Sequence, residues 1–324
     1  MEIKPNQKLE IWIVSFIQRL VMLKNRVVNV FGRIGKEKVI VYGNCHTIVI
    51  IDYLLQSKSF NNHYYIQQIP MFYEKGVFDC KLLKGCKLFI HQDIREENKF
   101  GKEFSSDYIK GILGKECICI CIPNLYELGY GFFPQSLVQS NNPKYYNKRN
   151  PEFIKGDDRG LFVHGDRILE QQIDNNCSLN DIIEYAHSDN ILSNKEITDI
   201  FNTYKAKILR REDNWDIKIF DFIFENDHYK EEQMFTDFGH PTNIVLKKIV
   251  ERLLDRIENT YNDITSIEIN RVLDQYEDPI YPYVAKVLGL KYSKKYIRVQ
   301  SNMKIRKNMD FDEYVKEYYY WCSN

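Results

Sequence analysis

The chain has 324 residues, 44% of them hydrophobic and 14% aromatic, enough for one large folded domain with appendages or for two modest ones. Its 45 Lys and Arg balance 45 Asp and Glu, which excludes a general nucleic-acid binder, whose affinity needs a net basic surface. Eight cysteines in a chain this long show no secreted-scaffold spacing, so free thiols and a reducing, cytoplasmic compartment are expected.

Residues 1–37 are expected to form an N-terminal element of their own. Leu9–Phe31 predicts an amphipathic helix: Ile13, Phe16, Ile17, Leu20, Leu23 and Val27 follow helical spacing, with Arg19, Lys24 and Arg26 between them. Its apolar stretch Ile11–Leu23 is interrupted by Gln18 and Arg19 and lacks a small-residue cleavage site. It reads neither as a signal peptide nor as a membrane span. The helix is expected to pack on the body or a partner, or to lie peripherally on the inner membrane face.

Residues 38–257 read as an α/β core. Lys38–Tyr42 is a β-branched run that predicts a buried parallel strand. Gly43-Asn44 end it, and Thr47–Leu55 takes up helical periodicity. Tyr64–Ile69, Lys87–His91 and Glu116–Ile122 predict further strands, with Ser105–Leu113 as a crossover helix. Strand and helix alternating imply a three-layer fold, a mostly parallel sheet covered on both faces. At about 141–214 a largely helical insertion is expected, with helices over Ser178–His187 and Asn194–Arg211 capped by Ser178 and Asn194. Ile217–Phe224 predicts a return to the sheet, and Pro241–Ile257 a closing helix. Residues 258–324 read as a C-terminal helical appendage that includes Tyr281-Pro282-Tyr283 and the amphipathic Asp312–Trp321. Within it, Lys286–Lys307 holds eight Lys and Arg and no acid, a patch suited to phosphate, an anionic membrane surface or an acidic glycan.

Ligands of open α/β sheets sit beyond the carboxyl ends of the strands. Three such ends carry distinctive residues: Gly43-Asn44-Cys45-His46, His91-Gln92-Asp93 and Pro123-Asn124. A fourth element, Asp237-Phe238-Gly239-His240-Pro241, precedes the last core helix. Cys45 falls where strand turns to helix, and the partial positive charge of a helix N-terminus favours thiolate. His240 is the candidate base and Asp237 the group that fixes its tautomer. Asn124 is the candidate donor to an oxyanion, with the Cys45 backbone N–H and with Gln92 as a further donor.

This order resembles the SGNH hydrolases: a Gly-x-nucleophile turn, a later oxyanion-hole Asn and a late Asp-x-x-His. Cysteine replaces their serine, Asn44 their usual acidic residue, and Gln92 stands at the strand end where they carry glycine. GNCH at Gly43–His46, FIHQDIR at Phe89–Arg95, IPNLYELGYGFFP at Ile122–Pro134 and MFTDFGHPTN at Met234–Asn243 resemble more closely the WcbI-type family of capsular polysaccharide biosynthesis acetyltransferases. The resemblance covers roughly residues 38 to 324; the family's first motif usually ends in Gln, where this chain has His46. It implies an SGNH-like fold, coenzyme A or acetyl-coenzyme A as co-substrate without a metal, and acetyl transfer to a sugar or polysaccharide hydroxyl. Candidate coenzyme A contacts are Asn44, His46, Gln92, Arg95, Arg159 and Arg167, the arginines because a guanidinium suits phosphate. Two routes are open: Cys45 carries the acetyl group as a thioester, or His240 activates the sugar for direct attack while Cys45 shapes the pocket.

Two other readings compete with the transferase. The same triad with water admitted would deacylate glycan esters. A glycan- or membrane-associated assembly protein with an inert Cys45 would use only the basic patches. Cys117, Cys119 and Cys121 alternate along one strand, which reads as core packing rather than zinc ligation. Asp157, Asp158 and Asp166 beside Arg159 and Arg167 read as a solvated or salt-bridged cluster rather than a metal site.

Overall fold

β-branched residues alternate faces along the strand that follows Glu37, and both faces are buried. Val39 and Val41 enter one hydrophobic core, Ile40 and Tyr42 another. The computed structural model describes residues 35–69, 80–98, 100–145, 162, 164–258, 261–269, 277–292, 296–299 and 306–323. The helix expected over Leu9–Phe31 lies outside them. Strands β1 (Glu37–Tyr42), β2 (Tyr64–Ile66), β3 (Cys86–Gln92) and β4 (Ile118–Ile122) form a four-stranded sheet in the order β2-β1-β3-β4. Each neighbouring pair is parallel.

Helices cover both faces, as continuous apolar strands require. On one face, helices His46–Gln56 and Asn243–Glu258 bury Val49, Tyr53, Leu246 and Val250 against the sheet, each such side chain contributing about 1.5–3 kcal/mol. The other face is smaller and is closed partly by Ile109 of helix Ser106–Ile112. Cys117 and Cys119 pack against that second core and Cys121 is buried; none of the eight cysteines is in a disulfide. The chain leaves β1 for β2 on one side and returns to β3 on the other. The crevice of such a sheet therefore opens between the carboxyl ends of β1 and β3.

The expected strand over Ile217–Phe224 is instead a short helix, Phe220–Phe224. An apolar run of this length fits a buried helix as well as a strand, and Ile217, Ile219, Ile223 and Phe224 are buried in either case. Asp216 takes over the edge of β4: its N–H donates to the Cys121 carbonyl at 2.8 Å, and its carboxylate accepts from the Cys121 N–H at 2.7 Å. A side chain thus closes the edge that a further strand would have covered.

Ser178 caps helix Leu179–His187 in a capping box with Asp181. Helix Asn194–Arg211 is capped by Ser193 with Glu196, one residue before the expected Asn194. The C-terminal part is not wholly helical: β5 (Tyr296–Val299) and β6 (Arg306–Met309) pair antiparallel between helices Pro282–Leu288 and Phe311–Ser323. Asp166, expected in a solvated cluster, is buried and caps helix Arg167–Asp174. It accepts from Leu169 N–H at 3.1 Å, Tyr281 Oη at 2.7 Å and Tyr314 Oη at 3.3 Å, and burial pushes its carboxyl up to about 7. This cluster ties the C-terminal helix to the insertion. Among the described residues no helix is long and apolar enough to cross a membrane.

Candidate active site

Gly43 ends β1 where nothing larger fits. A Cβ there would stand 2.4 Å from Gln92 Oε1 and 2.7 Å from Thr47 Cγ2. The turn that follows places Cys45 at the start of helix His46–Gln56, half-buried, without a side-chain cap bond.

The second half of the site is the loop between Phe235 and Pro241. A β-bridge between these two residues closes the loop at its base, helped by Thr236 N–H donating to His240 O at 2.9 Å. Within it Asp237 is buried and accepts three bonds: Gly239 N–H at 2.7 Å and His240 N–H at 2.8 Å on Oδ1, and His240 Nδ1 at 2.7 Å on Oδ2. The other ring nitrogen of His240, Nε2, stands 3.4 Å from Cys45 Sγ, 195 residues away in sequence. Cysteine, imidazole and carboxylate thus stand in line.

Backbone groups fix the amide orientations around this line. His46 N–H donates to Asn44 Oδ1 at 3.0 Å, so Asn44 Nδ2 is the donor to Asn124 Oδ1 at 3.2 Å. Tyr126 N–H donates to the same Asn124 oxygen at 3.2 Å, which leaves Asn124 Nδ2 to donate elsewhere. Gln92 Oε1 accepts from Asn44 N–H at 2.8 Å and its Nε2 donates to Pro123 O at 3.1 Å. His46 Nε2 donates to Gly239 O at 2.9 Å, while its Nδ1 faces Gln92 Nε2 at 3.5 Å.

Two histidines at this site are shifted in opposite directions. Burial, and next the charge on His240, push His46 down to about 3, so it is neutral. Burial would also lower His240, but its bonds to Asp237 and Cys45 outweigh that and raise it to about 10. Asp237 is buried too, yet the His240 imidazolium holds its carboxyl below the ordinary value. Such an arrangement can present a nucleophilic sulfur, return a proton to a leaving group and receive an oxyanion on Asn124.

A polar cleft of about 530 Å³ opens beside Asn124, lined by Asp93, Arg95, Lys207, Arg210, Arg211, Asn214 and Trp215. Arg211 Nη1 donates to the Asn124 carbonyl at 3.4 Å, joining cleft to site. Burial and then Arg95 hold the Arg211 guanidinium below its usual range; burial and then Arg211 do the same to Lys207. Like charges crowded in this way mark a place for an anion.

Of the residues singled out from sequence, Cys45, His240, Asp237, Asn124, Asn44, His46 and Gln92 come together. His46 and Gln92 are fully buried and brace the site from behind rather than lining the cleft. Arg95 lines the cleft; Arg167 lines a separate hollow with Ser140 and Asp174; Arg159 lies outside the described residues. In the basic C-terminal stretch, Lys291 pairs with Glu231 at 2.5 Å and Lys286 stands over Tyr283. Sequence reading missed Lys207, Arg210 and Arg211, whose spacing of three and four marks one helix face. It also missed Gly129, whose N–H donates to Phe238 O at 2.9 Å and where a Cβ would meet Asp237 O at 2.4 Å. His164 was missed as well: bound to Asp278 at 3.1 Å, it packs against Phe238 with 4.5 Å between centroids.

No curated protein matches the chain. A solved structure described as WcbI, a novel polysaccharide biosynthesis enzyme, in a native form without a disulfide bond between coenzyme A and one of its cysteines, superposes with a TM-score of 0.68. The two share 16% identity over 89% of this chain and 90% of that one, a likeness of fold. The sequence profile of the family described as polysaccharide biosynthesis enzyme WcbI matches residues 38–261, over half the chain. The protein therefore belongs to the WcbI family of polysaccharide biosynthesis enzymes.

Proposed function

We propose that the protein is a coenzyme A-dependent O-acetyltransferase that acylates a sugar hydroxyl during assembly of a capsular or surface polysaccharide. The observation that carries this reading is the line Cys45–His240–Asp237, at 3.4 and 2.7 Å, beside a cleft rich in arginine. Coenzyme A, which the description of the related structure mentions, fits that cleft by charge: Arg95, Lys207, Arg210 and Arg211 offer guanidinium and ammonium donors to its phosphates. Acetyl-coenzyme A supplies an activated acetyl thioester.

Cys45 Sγ attacks the acetyl carbonyl, while Asn124 Nδ2 and the Cys45 N–H take the charge that develops on oxygen. His240 gives its proton to the departing thiolate, so that free coenzyme A leaves and the acetyl group remains on Cys45 as a thioester. Acylation removes the negative partner that helps hold the proton on His240, and the ring becomes a base. His240 then takes the proton of the sugar hydroxyl, the sugar oxygen attacks the thioester, and Cys45 leaves as thiolate. Thioester exchange is nearly thermoneutral, so the acetyl group reaches Cys45 without an uphill step, and its passage from thioester to sugar ester is downhill. A reducing cytoplasm suits a thiol nucleophile, and the segment 1–37 provides the peripheral membrane or complex contact. Turnover of acetyl-coenzyme A with and without a glycan acceptor tests the reading: acceptor-dependent release of coenzyme A supports it, and release to water alone converts it to an esterase.

A further inference from the structure

We propose that Tyr126 and Glu127, on the loop after Asn124, form the subsite that receives the acceptor sugar. This deepens the acetyltransferase reading and rests on it. Glu127 is a non-glycine residue in the left-handed region, at φ 63° and ψ 6°, a conformation that carries a steric cost and concentrates at functional sites. Its effect is to bury Leu125 and Leu128 while residues 126 and 127 stand out into solvent. Tyr126 is 46% exposed, and yet its position is fixed. Its N–H is held by Asn124, its ring lies edge-on to Phe238 at 6.4 Å between centroids, and Phe238 stacks on Tyr130 at 4.6 Å.

The location ties this ring to the chemistry. Tyr126 lies against Gly239, the residue before His240, so closely that a Cβ on Gly239 would stand 3.1 Å from the ring. Gly239 in turn donates its N–H to Asp237 Oδ1 at 2.7 Å, so the ring borders the loop that holds the base. Glu127 follows Tyr126 in the same exposed turn, and its charge acts on Lys207 and Arg211 of the cationic cleft as well as on Tyr126 and Tyr130. A carboxylate repels phosphate, which leaves the phosphates of coenzyme A to the arginines. A sugar meets the two groups with its two chemistries: the C–H face of a pyranose covers an aromatic ring, and its hydroxyls donate to a carboxylate. That position also brings an acceptor hydroxyl next to the base that must take its proton.

Saturation-transfer NMR of the full chain with methyl hexopyranosides tests the subsite without requiring turnover. Saturation is expected on the protons of one sugar face, to fall about tenfold in Tyr126→Ala and to persist in Tyr126→Phe, with Glu127→Gln weakened in between. No transfer to any pyranoside, or equal transfer in Tyr126→Ala, overturns the proposal. So does a loss confined to coenzyme A binding in Tyr126→Ala, which would make the ring an adenine platform. Failure of the acetyltransferase reading shows separately, as wild-type protein that releases no coenzyme A from acetyl-coenzyme A when a glycan acceptor is added.

Discussion

His46 Nε2 donates to the carbonyl oxygen of Gly239 at 2.9 Å, across 193 residues of sequence, and so locks the turn that carries Cys45 to the loop that carries His240. The bond requires a proton on Nε2, and burial keeps the ring neutral, so that proton is the only one it carries. Glutamine, which the resemblance leads one to expect at this position, offers an amide donor instead of a ring donor. His46→Gln is therefore the mildest change at this position, and it should retain more transfer activity than His46→Ala in a side-by-side rate assay.

His240→Ala removes the base and acid of both half-reactions and should lower acetyl transfer by roughly 10²–10⁴-fold. Its ring is 28% exposed, so the thermal midpoint should move by only a few degrees. Asp237→Asn keeps the imidazole and disturbs its tautomer and charge, and should cost less. Steady-state rates beside a thermal melt separate the two effects.

The pH behaviour follows from the direction of the His240 shift. Its folded pKa, about 10, lies above the ordinary 6.5. The pair's contribution to stability is then fully present below 6.5 and is lost as pH rises toward 10. The imidazolium needed to protonate departing coenzyme A disappears on the same alkaline limb. Asp237→Asn removes the largest raising influence, so an NMR titration of the His240 ring should show its midpoint moving down toward the ordinary value.

Arg95→Gln and Arg211→Gln should each weaken coenzyme A binding by about tenfold, more than Arg167→Gln, whose side chain lines a different hollow. Calorimetry at low and high salt should show wild-type affinity falling with salt, because counter-ions compete for exposed charges. Loss of the 3′-phosphate should weaken binding in the same way.

Gly129→Ala places a methyl group where Asp237 O stands 2.4 Å away. The obstacle is backbone, so the loop carrying His240 has to move. Transfer should drop at least tenfold, as sub-ångström displacement of a base does, while near-wild-type circular dichroism shows the fold retained.

Much of the site was legible because its residues fall at strand ends and helix starts, where sequence punctuation is sharp: Gly43 after a β-branched run, Pro123-Asn124 after another, Asp237 to Pro241 before a helix. The cationic cleft was not legible. Lys207, Arg210 and Arg211 share one helix face, but they close a helix whose last turn favours basic residues for its dipole alone, so that shared face did not announce a binding site. The strand expected over Ile217–Phe224 failed because a short apolar run, broken only by Lys218 and Asp221, does not fix its period, and what decided the matter was long-range, the Asp216 carboxylate on Cys121. Gly129 and His164 act only across the tertiary structure, on a loop about a hundred and about seventy residues further on.

The central claim is that acetyl groups pass through Cys45 under the control of His240. Intact-mass and peptide mapping of protein mixed with acetyl-coenzyme A, before and after a glycan acceptor is added, tests it most directly. The account predicts one acetyl group on Cys45, formed slowly or not at all in His240→Ala and discharged when the acceptor arrives. Acceptor-dependent transfer that persists in Cys45→Ala with no acetyl group on the wild-type protein would contradict it.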